Sequence, residues 1–159
     1  MAWLVLYLPL LAALAVLAAI DLDRRLLPNR IVYPLAAWGL AAMLLVERDQ
    51  IAEHLLAGAG AFLFLFLAAV AKPAGMGMGD VKLAGVLGLY LGLSVIPALL
   101  VALLGGTLAG VGMMLREGAA ALKRTLPFGV FLAFGALVGA LAGGELIELY
   151  ALWTAAPHE

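Results

Sequence analysis

The chain has 159 residues, 67% of them hydrophobic and 12% charged. So few charges cannot cover the surface of an ordinary soluble domain, so the lipid bilayer is the expected solvent and partner. A net charge of −1 gives no electrostatic case for nucleic acid, and the lack of cysteine excludes disulfides, thiol nucleophiles and cysteine-ligated metals.

Met1 to Ile20 carries no charge and would span about 30 Å as a helix, enough for one crossing. It lacks the basic start of a signal peptide, so it is read as the first transmembrane segment. A polar loop runs from Asp21 to Arg30, with Pro28-Asn29 as its turn signal. Ile31 to Val46 is the second span, and Glu47 to His54 is the next polar loop. Leu55 to Ala71 is the third span, ended by Lys72-Pro73. Gly75, Gly77 and Gly79 then lead to Asp80, at the edge of another apolar run. No charge occurs from Leu83 to Leu115. As one helix that run would measure about 50 Å, against a hydrocarbon core of about 30 Å. It is therefore read as a hairpin turning near Ser94 and Pro97, giving spans four and five. Arg116 to Arg124 is a basic loop. Thr125 to Gly144 and onward is the sixth span, and Glu145, Glu148 and the tail to Glu159 close the chain.

The expected fold is an all-α membrane protein, one domain over 1–159, with six transmembrane helices and both termini outside. Charge placement supports that layout. One face receives Arg24, Arg25, Arg30, Lys72, Lys82, Arg116, Lys123 and Arg124, and the other receives only Arg48. Basic residues concentrate on the cytoplasmic side, so the first face is cytoplasmic. Glycines spaced by four, as in Gly88/Gly92, Gly106/Gly110 and Gly135/Gly139/Gly143, are expected to mark close helix packing.

Two carboxylates end up at one membrane face: Asp21 after the first span and Asp80 before the fourth. They can meet if those two segments pack together. Ionisable groups at the hydrocarbon edge are functional candidates. Two such groups within about 3–5 Å cannot both ionise easily, so they share a proton and titrate as a unit. One can then act as base on water while the other protonates a carbonyl, which is aspartic-peptidase chemistry. Gly77 and Gly79 would let an extended peptide lie against the loop. The plainer reading makes Asp80 a helix cap, Asp21 a helix-end residue and Asp23 a solvated loop charge. Lys82 is near enough to Asp80 to act on it. Trp3, Trp38, Trp153, Tyr33 and Tyr150 read as interface belt or packing residues, and His54 and His158 as outer-loop residues without a role. No His-Glu-x-x-His pattern exists for a metal, and Ser94 is the only serine, with no histidine in a span to serve it. A proton- or ion-coupled transporter using both acids as a relay is the competing reading, as is a non-catalytic assembly scaffold. A transporter is expected to carry its acids at mid-membrane, often with an inverted repeat, and neither is evident.

Three stretches resemble one family. Asp21-Leu22-Asp23-Arg24-Arg25-Leu26-Leu27-Pro28-Asn29 resembles the first signature of the type IV prepilin peptidases. Gly77-Met78-Gly79-Asp80-Val81-Lys82-Leu83 resembles their GxGD signature, and Leu126-Pro127-Phe128-Gly129 resembles their C-terminal Pro-Phe-Gly segment. The resemblance implies an intramembrane aspartic endopeptidase of the cytoplasmic membrane. It implies removal of a short basic leader from type IV pilin-like precursors at the cytoplasmic face. By position it implies Asp21 and Asp80 as catalytic, Asp23 being the competitor for the first role, and no metal or other cofactor. Gly77, Gly79, Pro28, Asn29 and Lys82 are the expected substrate-side residues. Longer members carry an N-terminal region with paired Cys-x-x-Cys motifs and also methylate the new N-terminus. Without cysteine, this chain is expected to be a minimal, peptidase-only form.

Overall fold

The computed structural model describes residues 2–46, 48–71, 76–118 and 126–155. The expectations resting on Glu47, Lys72, Pro73, Gly75, Lys123, Arg124, Thr125, His158 and Glu159, and on the Trp3 side chain, lie outside them. The described residues form six α-helices: α1 Ala2–Arg24, α2 Asn29–Val46, α3 Ile51–Ala71, α4 Met78–Leu91, α5 Val95–Glu117 and α6 Phe128–Ala155. Five stretches are long and apolar enough to cross a membrane: Leu4–Arg24, Asn29–Val46, Arg48–Ala71, Met78–Glu117 and Phe128–Trp153. Large apolar side chains such as Leu8, Leu45, Leu56 and Leu115 point outward, where only lipid would tolerate so many.

Several helices extend past the expected boundaries. α1 continues through Asp21, Asp23 and Arg24, so the acids lie in its last turn rather than in a loop. α3 begins at Ile51 and takes in Glu53 and His54, which were expected in the preceding loop. α6 continues through Glu145 and Glu148. In each case intrahelical hydrogen bonding carries on beyond the last apolar residue.

α4 is the centre of the bundle. Val81, Leu83, Ala84, Val86, Leu87, Gly88, Tyr90 and Leu91 are all buried, on every side of its 14 residues. A helix apolar all round is one buried all round. It packs most extensively on α3, and also on α2 and α6. A Cβ at Gly88 would come within 2.6 Å of the Gly58 backbone, so the missing side chain permits this approach. α1 instead presents one stripe, Leu6, Leu10, Leu14 and Leu17, to the core.

The uncharged run breaks at Gly92, a little before the expected Ser94–Pro97. Gly92 has φ +55° and ψ −136°, and its N–H caps the Gly88 carbonyl. Only glycine adopts that conformation readily. Gly92 is thus the turn, not a packing glycine as expected. Pro97 sits in the first turn of α5, where its missing N–H is not needed. His54 is buried and its Nδ1 donates to the Leu89 carbonyl at 2.9 Å, while Glu53 Oε1 accepts from Leu93 N–H at 3.3 Å. α3 therefore clamps this turn, and His54 has a structural partner that the sequence did not reveal.

After the turn α5 leaves α4 and packs antiparallel to α6. Gly143 faces Ser94, Gly139 and Gly135 face Ala98, and Gly105 and Gly106 face Phe131 and Phe128. The Gly135/Gly139/Gly143 face thus packs as its spacing predicts.

Candidate active site

The site lies where α1 ends, α4 begins and α6 begins. Asp21 occupies the last turn of α1 and is only 4% exposed. Arg25 N–H donates to the Asp21 carbonyl at 2.9 Å, and Arg25 itself has φ 52°. That left-handed residue stops the helix one turn after Asp21. Asp23, in the same turn, is exposed. Burial therefore separates the two candidates for the first role.

Asp80 is in the first turn of α4. Gly77 is the N-cap, with ordinary extended backbone (φ −81°, ψ 147°), and its N–H donates to Asp80 Oδ2 at 3.3 Å. Asp80 thus reaches back to cap its own helix, half of a capping box. The plain capping reading and the functional one apply to different oxygens, because Oδ1 is free of that bond. Asp80 Oδ1 and Asp21 Oδ2 are both buried without a hydrogen-bond partner among the described residues. Buried acceptors are normally paired, so an unpartnered pair in one place is notable. Both acids adjoin Leu27, Asp80 through its neighbour Gly79 and Asp21 through Gly129.

They are not brought together as expected. α1 and α4 come close at almost no point along their backbones; each packs on α2 and α6 instead. At the end away from the acids, long side chains span the gap. Tyr7 OH donates to the Tyr90 carbonyl at 3.3 Å, and the buried Tyr90 OH donates to the Leu35 carbonyl at 2.8 Å. At the acid end the gap is filled by Leu27. A Cβ at Gly79 would lie 2.9 Å from Leu27 Cβ and 3.3 Å from its carbonyl oxygen. The close backbone approach expected at Gly79 is therefore made by the chain's own loop. On the other side, a Cβ at Gly129 would lie 3.1 Å from Leu27 Cδ2 and 2.8 Å from Asp21 Oδ2. The backbone N–H groups of Gly129 and Val130 face the Asp21 carboxylate, without closing a bond on Oδ2. The first turn of α6 is a favourable place for negative charge.

The remaining expected residues are on the same face. Pro28 directly precedes α2, its carbonyl accepting from Ile31 N–H at 3.0 Å. Asn29 and Lys82 are joined to each other, Lys82 Nζ donating to Asn29 Oδ1 at 3.1 Å and to Tyr33 OH at 3.0 Å. Tyr33, read from sequence as a belt or packing residue, is thus a partner of Lys82. Trp38 Nε1 donates to the Val5 carbonyl at 3.1 Å, which ties α2 to α1. Ala68, Met76, Leu103, Gly106, Thr107, Leu126 and Phe128 line a mostly apolar cavity of about 530 Å³; neither acid lines it, although Met76 and Phe128 directly precede Gly77 and Gly129 in the chain.

Residues 8–115 match the model of the type IV leader peptidase family. The chain belongs to that family. A protein named prepilin leader peptidase/N-methyltransferase from Aeromonas salmonicida (strain A449) is 33% identical over 143 residues, 86% of this chain and 49% of that protein. The protein of the same name from Bacillus subtilis (strain 168) is 33% identical over 141 residues, 88% of this chain and 56% of that protein. The chain thus spans about half the length of the curated relatives it matches. No solved structure matches it. The stretch matched to the leader peptidase family includes Asp21 and Asp80 and ends before Gly129.

Proposed function

We propose that this chain is an intramembrane aspartic endopeptidase that cuts the short basic leader from type IV pilin-like precursors. Asp21 and Asp80 carry the reaction. The observation behind this reading is the pair itself: two acids from distant helices, each with a buried oxygen left unpartnered among the described residues. Family membership supports this substrate class.

The chemistry needs only water. The ionised carboxylate takes a proton from a water held between the two acids, and the water oxygen adds to the scissile carbonyl carbon. The protonated carboxylate gives its proton to the carbonyl oxygen, forming a tetrahedral diol. Collapse breaks the C–N bond, and a proton passes from the pair to the leaving nitrogen. Gly77, Gly79, Pro28 and Asn29 form the rim over which the leader approaches. The apolar wall of Phe128, Leu103 and Ala68 receives the greasy segment of the precursor. The acids lie at the cytoplasmic face of the cell membrane, in a six-span bundle with both termini outside. The basic residues Arg24, Arg25, Arg30, Lys82 and Arg116 support that orientation.

The test is cleavage of a pilin-like precursor by protein reconstituted in liposomes, with folding followed by thermal melt. Wild type and Asp23→Asn should cut; Asp21→Asn and Asp80→Asn should fold and not cut. Cleavage by both of the latter would sink the two-aspartate mechanism, and an inactive Asp23→Asn with an active Asp21→Asn would move the first role to Asp23.

A further inference from the structure

The two acids ride on helices whose backbones hardly meet. Something other than direct α1–α4 packing must therefore set their separation. On one side that is Leu27, lodged between Gly79 and Gly129. On the other side the structure has a polar cluster that joins α4 to α2.

Lys82 lies two residues after Asp80, on the first turns of α4. Its ammonium donates to Asn29 Oδ1 and to Tyr33 OH, and it stands 5.1 Å from the centre of the Tyr33 ring. Asn29 is the first residue of α2, and Tyr33 is one turn further on the same face. Asn29 also directly follows Leu27-Pro28, the short link back to Asp21. Both hydrogen bonds of Lys82 go to α2.

We propose that Lys82 is a positioning residue: by pinning the start of α2 to the start of α4, it holds the Leu27–Pro28 link in place and so sets the Asp21–Asp80 separation. Lysine suits the task, since one ammonium offers three donors and can serve two acceptors from successive turns. The tyrosine ring adds a cation–π contact. Near the hydrocarbon these contacts are stronger than in water. This inference rests on the reading of Asp21 and Asp80 as the reacting pair, and its test separates the two.

The chain has no cysteine, so Asp21→Cys with Asp80→Cys gives a protein whose only thiols are at the two acid positions. Their oxidative cross-linking reports the separation without any activity. Lys82→Met should lower the cross-linking rate by about tenfold or more, and Lys82→Arg should restore much of it. Tyr33→Phe, a mild change at an exposed ring, should lower it less; it keeps the test valid if Lys82→Met fails to fold. In the active protein, Lys82→Met should reduce kcat by between about ten- and a hundredfold with KM little changed. Adding Asn29→Ala to Lys82→Met should cost almost nothing further, because the two act as one unit. Unchanged cross-linking in both Lys82→Met and Tyr33→Phe would overturn the proposal. So would a raised KM with intact kcat, which would make Lys82 a substrate contact. Slower cross-linking in those variants, together with active Asp21→Asn and Asp80→Asn proteins, would keep the pin and overturn the two-aspartate mechanism alone.

Discussion

Gly129 has no side chain, and that fact holds the Asp21 carboxylate where it is. A methyl group there would lie 2.8 Å from Oδ2 and 3.1 Å from Leu27 Cδ2, so either the acid or the leucine must move. Gly129→Ala should therefore reduce precursor cleavage by about a hundredfold, as expected for a displacement of roughly 1 Å. The melting temperature should change less than at a glycine packed on backbone, because the atoms a methyl would meet at Gly129 belong to side chains that can shift. Unimpaired cleavage would show that Asp21 has room to spare. The preference for Asp21 over Asp23 came from the spacing to Pro28 in the family signature; in the fold Asp21 is buried and Asp23 exposed, and the cleavage assay decides between them. The roles of Lys82 and His54 were not. Lys82 finds its partners 53 and 49 residues away, and His54 finds Leu89 35 residues away. Neither pairing leaves a local pattern. Gly129 was legible as part of a motif, but only the folded chain shows which atom its missing side chain makes room for.

Close helix seams and helix breaks both rest on glycine here, and the two uses predict different failures. At Gly88 a methyl group would meet the Ala57 carbonyl and the Gly58 backbone at 2.6 Å. Backbone cannot swing aside as a side chain can, so Gly88→Ala should destabilise the α3–α4 seam by about 1–3 kcal/mol. At Gly92 the backbone itself is the obstacle, and Glu53 Oε1 stands 2.8 Å from the would-be Cβ. Gly92→Ala should cost about 1–3 kcal/mol through strain. Thermal melts in one detergent check both. Removing Glu53 in the background of Gly92→Ala should recover little, because the strain lies in φ and ψ. A full recovery would mean that the contact, not the backbone, was the cause. The sequence showed that helices occur and roughly where, because uncharged runs are long and their ends are polar. It misplaced boundaries at Asp21, Glu53 and Glu145 because a charge does not end a helix: glutamate and arginine are good helix formers, and the intrahelical bonds run on through the weaker aspartates. The break near Pro97 was foreseen, but glycine ends α4 and proline only opens α5.

The bundle has a basic end, with Arg24, Arg25, Arg30, Lys82 and Arg116, and an opposite end with Arg48, Asp49 and Glu53. Single cysteines placed in this cysteine-free chain can test the six-span orientation. In intact cells a membrane-impermeant thiol reagent should label Asp49→Cys, whereas Arg24→Cys and Arg116→Cys should react only after permeabilisation. Labelling of Arg116→Cys in intact cells would mean that Met78–Glu117 crosses once, and the six-span topology would fail. The brevity of α4 has a consequence of its own. Its 14 residues measure about 21 Å, short of a hydrocarbon core of about 30 Å. The longer helices packed round α4 meet the lipid, so the enclosed α4 must end beneath the headgroup level. Asp80 lies in the first turn of that helix, so on the proposed reading water and leader reach it through a recess in the protein. The thickness of the surrounding bilayer then sets how far that recess lies below the headgroups. Cleavage should be faster in vesicles of short-chain phospholipid than in long-chain ones of the same headgroup, and equal rates across chain lengths would show that the protein shapes its own access route without the lipid.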